Sequence, residues 1–155
     1  MMITIEKLIE DTDSALSKHF TKIVNGVKIK PEIYDHTDEV FIYEEDEGVA
    51  VWCDVPRGAL KSFEGAFNII ISVDADIVCI SALLGDKCID KEAAQNMSRN
   101  IDLGSWTVEE VDNHLMLSND FSLTTNLEEE LSMRFAELCY MDLEGKVSEL
   151  LGCFR

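Results

Sequence analysis

The sequence predicts a single α+β domain spanning residues 1–155, in which helices pack on an antiparallel sheet in the order α-ββ-ββ-α-ββ-α. In the middle of the chain, apolar residues alternate with a period of two, which is typical of strands. Near both ends they recur every three or four residues, which is typical of helices. A hydrophobic fraction of 46% and a charged fraction of 28% suit a globular domain with one core.

The first element is a helix predicted at residues 3–20. Its charged residues, Asp11 among them, are predicted to lie outside the apolar stripe and to face solvent. Gly26 ends this region of the chain. The apolar stripe comprises Ile5, Leu8, Ile9, Thr12, Leu16 and Phe20.

The next segments predict the first strands. VKIK at residues 27–30 is compatible with a short strand that Pro31 stops. Residues 40–45 and 49–55 predict a first hairpin, which turns through the acidic run at residues 44–48. This run lacks the alternating oxygen ligands and the distal glutamate of a calcium-binding EF-hand, so we interpret it as a solvated turn.

The central hairpin is predicted at residues 63–84, where two apolar runs flank the polar turn Asp74-Ala75-Asp76. A three-residue turn places Val73 opposite Ile77. Ile70 then lies opposite a valine or isoleucine of the second run on the other face. Both faces of the hairpin are therefore apolar and must be buried, which predicts that the hairpin lies inside the sheet. The alternating positions are Phe67, Ile69, Ile71 and Val73 in the first run, and Ile77, Cys79, Ser81 and Leu83 in the second.

The second half of the chain predicts a helix at residues 90–102, which Leu103 and Gly104 close. A second hairpin follows, with Val111 opposite His114 across a two-residue turn. Its other face, which includes Ser118, is predicted to be wet. Its core-facing residues are Trp106, Val108, Leu115, Leu117, Phe121 and Leu123.

A closing amphipathic helix is predicted at about residues 126–153. Three consecutive glutamates from Glu128 suit the positive end of the helix dipole. Gly145 bends or splits this helix, because glycine weakens a helix interior.

The net charge of −18 is concentrated in one part of the chain. Residues 1–30 carry five lysines against four acids, a balance of +1, whereas residues 31–155 carry 27 acids against eight bases, a balance of −19. Such a surface repels nucleic acid and anionic membranes and favours basic proteins or peptides as partners. The absence of a long apolar run and of a signal peptide predicts a cytoplasmic protein.

Cysteine and histidine give no sign of a metal site. The five cysteines have no CxxC spacing, and we interpret them as reduced core residues. Cys88, which follows a lysine, is the one whose setting favours a thiolate. His36 and His114 each lack a second histidine nearby, so we interpret both as surface residues.

The sequence also contains no catalytic or phosphate-binding motif, so we expect no cofactor and no enzymatic activity. Asp74 and Asp76 are a carboxylate pair that suits acid-base work, but their position at a hairpin tip favours a turn. The large apolar residues that suit a ligand groove are more typical of core, and these are Trp52, Met97, Trp106 and Met116.

The string Phe63-Glu64-Gly65-Ala66-Phe67, followed by a hairpin that ends in Ser81-Ala82-Leu83, resembles the core of the YbjN family of bacterial sensory-transduction regulators. The order of elements resembles that of the class I type III secretion chaperones. The likeness covers residues 63–150 in pattern, and the acidic stretch before it has no counterpart. It implies a non-enzymatic homodimer that binds another protein. The implied dimer helix at residues 90–102 presents Ile89, Ala93, Ala94, Met97 and Ile101.

Our leading hypothesis is therefore a protein-binding module of chaperone or regulatory type, which acts as a small acidic homodimer and receives an extended segment of a client. The alternative is an acidic decoy or inhibitor that mimics nucleic acid, which the charge of −18 favours. A small enzyme whose site is assembled from distant residues is the third hypothesis, and a deep pocket with converging histidines or carboxylates would support it.

Overall fold

The computed structural model describes residues 3–34, 42–43, 46–47, 49–63, 65–84, 92, 96, 99–111 and 114–152. The helices in this part of the chain are α1 (Ile5–Phe20), α2 (Leu127–Leu143) and α3 (Lys146–Leu151), and residues 92, 96, 99 and 100 are also helical. The strands are β1 (Lys22–Val24), β2 (Val27–Ile29), β3 (Glu32–Tyr34), β4 (Ile42–Tyr43), β5 (Asp46–Glu47), β6 (Val49–Val55), β7 (Phe67–Asp74), β8 (Ile77–Leu83), β9 (Thr107–Val111) and β10 (His114–Ser122).

Six of these strands form one antiparallel sheet in the order β3-β6-β7-β8-β10-β9. The chain leaves β8 for the far edge of the sheet and returns as β10, which lies between β8 and β9. Two small hairpins, β1-β2 and β4-β5, stand outside this sheet. The α+β class with an antiparallel sheet is confirmed.

The hairpin predicted between residues 40–45 and 49–55 is wrong. In the structure β6 lies between β3 and β7, and β4 pairs with β5 instead. The pairing with β3 places Ile33 opposite Cys53 on the face where Cys53 is buried. A short strand from earlier in the chain therefore completes the sheet, and local sequence patterns do not reveal such a non-local pairing.

The register predicted for the central hairpin is wrong by one residue. The turn has two residues, Ala75 and Asp76, so Asp74 lies opposite Ile77 and Val73 opposite Val78. Ala75 has a φ of 51°, in the left-handed region that two-residue hairpin turns require. This register places Ile69, Ile71, Val73, Val78, Ile80 and Ala82 together on one buried face.

The second hairpin has the predicted register, with Val111 opposite His114. Its predicted core residues are buried, apart from Val108, which is partly buried. Ser118, predicted to face solvent, is also buried, and it lies between Ser81 of β8 and Thr107 of β9.

Helices α1 and α2 cover the buried face of the sheet. The ring of Phe20 meets Phe135 of α2 and Phe67 of β7 edge-on, with ring centroids 5.6 and 6.1 Å apart. Polar contacts tie α1 to α2 at the surface: Glu128 accepts hydrogen bonds from Ser14 and Lys18, both at 2.7 Å, and His19 bonds Ser132 at 2.7 Å. Burial, and then the nearby Lys18, lower the pKa of His19 below its usual value.

The helix boundaries follow from the sequence. The one exception to the predicted helix surfaces is Asp11 in the middle of α1. Helix α1 begins where Thr4 accepts a hydrogen bond from the backbone of Lys7, as an N-cap does. Asp11 is buried, contrary to the prediction, and its carboxylate lies 3.0 Å from the Lys7 ammonium one turn earlier, which offsets the cost of burial. Gly145, with a φ of 81°, separates α2 from α3, and the predicted split is confirmed. Within the described residues no helix has the length and apolar character needed to cross a bilayer.

Candidate protein-binding surfaces

The side of the sheet that faces away from α1 and α2, here called the outer face, has an apolar centre. Trp52 lies opposite Ile70, and Leu83 lies opposite Met116 on the next pair of strands. All four side chains are only partly buried. Ser81 lies opposite Ile70 and Asn68 opposite Leu83, so small polar residues stand between the apolar ones. One-sided antiparallel sheets normally show polar residues on the second side, so large apolar residues at this place are unusual.

Exposed acids surround this apolar centre. Asp54 lies opposite Asn68 on the first side, and Glu109 lies opposite Met116 on the other. Asp74 and Asp120 stand exposed at the end of the sheet near the central turn. The outer face is therefore an apolar patch with an acidic rim, which is the composition of many interaction surfaces.

A groove adjoins the outer face at the first edge of the sheet. It has a volume of about 500 Å³ and is lined in part by Ile29, Lys30, Asp54 and Asn68. It joins the outer face to the root of the β1-β2 hairpin.

Cys79 lies on the outer face between Ser72 of β7 and Asp120 of β10. Burial, and then a hydrogen bond with Asp120, raise the pKa of its thiol to about 11. Burial likewise raises the pKa of Cys53 to about 12 and of Cys139 to about 11. These three thiols are protonated at neutral pH and are poor nucleophiles.

Alkylation of Cys79 by iodoacetamide should therefore become faster with each step in pH up to about 10, because its thiolate fraction keeps growing below a pKa of about 11. Mass spectrometry of the peptide that contains Cys79 measures this rate. In urea the rate should level off near pH 9, the ordinary range of the thiol. A plateau below pH 9 in the folded protein would contradict the protonated state.

The second surface is a line of apolar residues on the solvent side of α2, here called the α2 stripe. Met133, Ala136, Tyr140 and Leu143 follow each other at spacings of three, four and three residues, so they lie along one side of the helix. All four are exposed, and the three large side chains are 62–64% exposed. The same helix also carries the core-facing stripe that includes Leu131 and Phe135. Apolar stripes on two opposite sides are typical of a helix that packs against a partner on each side.

The third surface is the hairpin of β1 and β2, here called the basic hairpin, at residues 22–30. Its turn is Asn25-Gly26, with φ of 51° and 78°, as a two-residue hairpin turn requires. Every residue from 22 to 30 is exposed. A two-stranded hairpin this short has little stability of its own. Its apolar residues are Ile23, Val24, Val27 and Ile29, and its lysines are Lys22, Lys28 and Lys30.

A polar network that runs from buried Asn119 to exposed Ser105 fixes α2 on the sheet. Arg134 donates to Asn119 at 2.9 Å and stacks 3.9 Å above the ring of Phe121. Asn119 donates to Ser105 at 2.7 Å, and Ser105 donates to Glu137 of α2 at 3.2 Å. These contacts hold the α2 stripe in a fixed orientation toward solvent.

Asp142 fixes the end of α2 to the loop before β7. Its carboxylate accepts hydrogen bonds from the backbone amides of Lys61 at 2.6 Å and Ser62 at 2.9 Å. The carboxylate is buried, so these two bonds satisfy it. This contact is structural and needs no ligand.

The residues proposed for the dimer helix lie mostly outside the described part of the chain. Ile89, Ala93, Ala94 and Met97 are not described, and Ile101 is partly buried against the core. His36 and Cys88 also lie outside the described residues. The structure therefore leaves the dimer helix a prediction.

The other candidate residues occupy structural positions. Asp74 and Asp76 are exposed at the β7-β8 turn, where the Asp76 carbonyl accepts a 2.7 Å hydrogen bond from Leu123. Trp106 is core, as predicted, whereas Trp52 and Met116 lie on the outer face. Among the described residues, no group of three or more His, Cys, Asp or Glu is placed to hold a metal ion.

Comparison of the chain with models of protein families, with curated proteins and with solved structures finds no match. The likeness to the YbjN family and to the secretion chaperones stays a prediction from sequence. The three surfaces of the described residues therefore carry the functional conclusion.

Proposed function

We propose that the protein is a non-enzymatic protein-binding module of chaperone or regulatory type, which acts as a homodimer in the bacterial cytoplasm. The observation that carries this proposal is the outer face, with its apolar centre and its acidic rim. Trp52, Ile70, Leu83 and Met116 are only partly buried, and a partner that covers them would remove this apolar surface from water.

The charge of the chain defines the chemistry of the client. Residues 31–155 have a balance of −19, and acids ring the apolar centre. A client segment with apolar residues between lysines or arginines complements both features. Acidic residues in the client would be repelled.

The shape of the sheet suits an extended client. β9 is an edge strand of the six-stranded sheet, and an edge strand accepts an added strand through its backbone groups. A segment lying across the outer face would place alternate side chains on the apolar centre. Binding of an extended client segment to an exposed surface is the mode that the resemblance to the class I type III secretion chaperones implies.

Capture of partners from the native cytoplasm tests the proposal. The wild-type protein should retain one defined protein, and the variant I70S/L83S should lose it, because serine removes the apolar centre of the outer face. I77S is the matched control, since Ile77 is a half-exposed isoleucine at the turn end of β8, away from this centre. Equal retention by the wild type and I70S/L83S would contradict a client site on this face.

An acidic decoy that mimics nucleic acid is the second candidate, and the balance of −19 favours it. Such a protein should displace DNA from a basic partner, and added salt should abolish the displacement. I70S/L83S should leave this displacement unchanged, because the acids and not the apolar centre would bind. The two candidates therefore respond differently to one variant.

A further inference from the structure

Two oppositely charged surfaces hold most of the exposed large apolar residues. Eight large hydrophobic side chains are exposed in the described part of the chain, and Ile77 is the one that lies outside both surfaces. Four belong to the basic hairpin and three to the α2 stripe. We infer that the basic hairpin of one protomer docks on the α2 stripe of a second copy, and that the reciprocal contact closes the dimer.

The charges of the two surfaces are complementary. Residues 21–31 carry three lysines and no acid, a balance of +3. Helix α2 carries five acids and one arginine, a balance of −4. The exposed Glu129 and Glu144 stand at the two ends of the α2 stripe. Lysines flanking an apolar hairpin therefore match glutamates flanking an apolar stripe.

Like surfaces are poor partners for each other. Two α2 stripes would bring Glu129 and Glu144 of one copy beside the acids of the other helix. Two basic hairpins would bring lysines together. Like charges in contact disfavour both arrangements and leave the hairpin on the stripe as the favoured pair.

The root of the basic hairpin lies close to α2 within one protomer. The thiol of Cys139, next to Tyr140, donates to the carbonyl of His19 at 3.8 Å. The basic hairpin begins at Lys22, three residues after His19. Its root is therefore beside the C-terminal half of α2, and a two-fold axis at this place would put each hairpin over the stripe of its partner.

The basic hairpin and the α2 stripe both remain exposed to solvent within one protomer. Both Ile23 at 72% and Val27 at 62% stay exposed, as do the large side chains of the α2 stripe. The hairpin register puts Val24, Val27 and Ile29 on one face and Ile23 on the other, so a reciprocal dimer covers these three and the three large side chains of the α2 stripe in each copy. The inference rests on the proposed homodimer and gives that dimer an interface different from the helix at residues 90–102.

Sedimentation of the full chain and of two surface variants tests the inference. V24S/V27S alters the apolar face of the basic hairpin and Y140S/L143S alters the α2 stripe, and both change exposed residues that the fold does not need. Each variant should raise the dissociation constant of the dimer about tenfold or more. I77S, which changes a half-exposed isoleucine outside both surfaces, should leave it unchanged.

An equimolar mixture of the two variants gives the sharpest result. The heterodimer keeps one intact contact, between the unaltered hairpin of one chain and the unaltered stripe of the other. The mixture should therefore associate more tightly than either variant alone. This rescue is not expected for an interface that uses only one of the two surfaces.

Three results would overturn the inference. A dimer that neither variant weakens would refute this interface and leave the proposed homodimer standing. A dimer that only one variant weakens, with no rescue in the mixture, would assign the interface to a single surface. A wild-type chain that stays monomeric at micromolar concentration would refute both this inference and the proposed homodimer.

Discussion

Replacing Phe135 with alanine should lower the free energy of unfolding by about 3–5 kcal/mol. Phe135 is fully buried and meets the ring of Phe20, which in turn meets Phe67 of the sheet. These three rings join α2, α1 and β7. Removal of the Phe135 ring leaves a cavity between α2 and α1 that the backbone closes only in part.

Urea unfolding followed by circular dichroism measures this loss. I77A is the control, because Ile77 is 49% exposed at the turn end of β8 and lies outside the basic hairpin and the α2 stripe. It should change the free energy of unfolding by about 0.5 kcal/mol or less. Similar losses for both variants would mean that Phe135 does not join the layers of the core.

Replacing Asp142 with alanine should cost about 2–4 kcal/mol, because two backbone amides lose a charged acceptor. The amides belong to Lys61 and Ser62, and the Asp142 carboxylate that binds them is buried at the end of α2. Without it, neither the loop before β7 nor the last turn of α2 has its partner. The same unfolding measurement applies.

Asparagine at position 142 is the graded control. D142N keeps one acceptor oxygen and the shape of the side chain, so it should cost less than D142A. The order wild type, D142N, D142A in stability is the expected result. A stability of D142A equal to that of the wild type would show that water replaces the carboxylate at these amides.

Local signals in the sequence predicted the parts of the fold that depend on near neighbours. The β9-β10 register follows from a two-residue turn between alternating runs, and the α2-α3 break follows from Gly145. The register predicted for the central hairpin was wrong because Ala75 adopts a positive φ. The turn lacks the glycine or asparagine that usually marks such a two-residue turn. The β3-β6 pairing was not predicted because the paired residues are about twenty residues apart in sequence.

The candidate surfaces were predictable to different degrees. An apolar second face of the central hairpin was predicted. The observed register pairs Ile70 with Ser81 and not with a valine or isoleucine, so the residues of this face differ from those predicted. The basic hairpin was missed, although Asn25-Gly26 between apolar residues is a strong hairpin signal. The α2 stripe was missed because the stronger core pattern of the same helix, which includes Phe135, hides a second one.

The α2 stripe and the outer face belong to different layers of the molecule. Helix α2 packs on the buried face of the sheet, through residues such as Leu131 and Phe135, whereas the apolar centre of the outer face lies on the opposite side. A dimer formed through the hairpin and the stripe therefore leaves this centre open to a client. Self-association and client binding are compatible in this arrangement.

The molecular mass in solution is the most direct test of the central claim that the protein acts as a homodimer. Light scattering of the purified chain at micromolar concentration should give twice the protomer mass of 17.5 kDa. A mass that stays at 17.5 kDa as the concentration rises would contradict the claim.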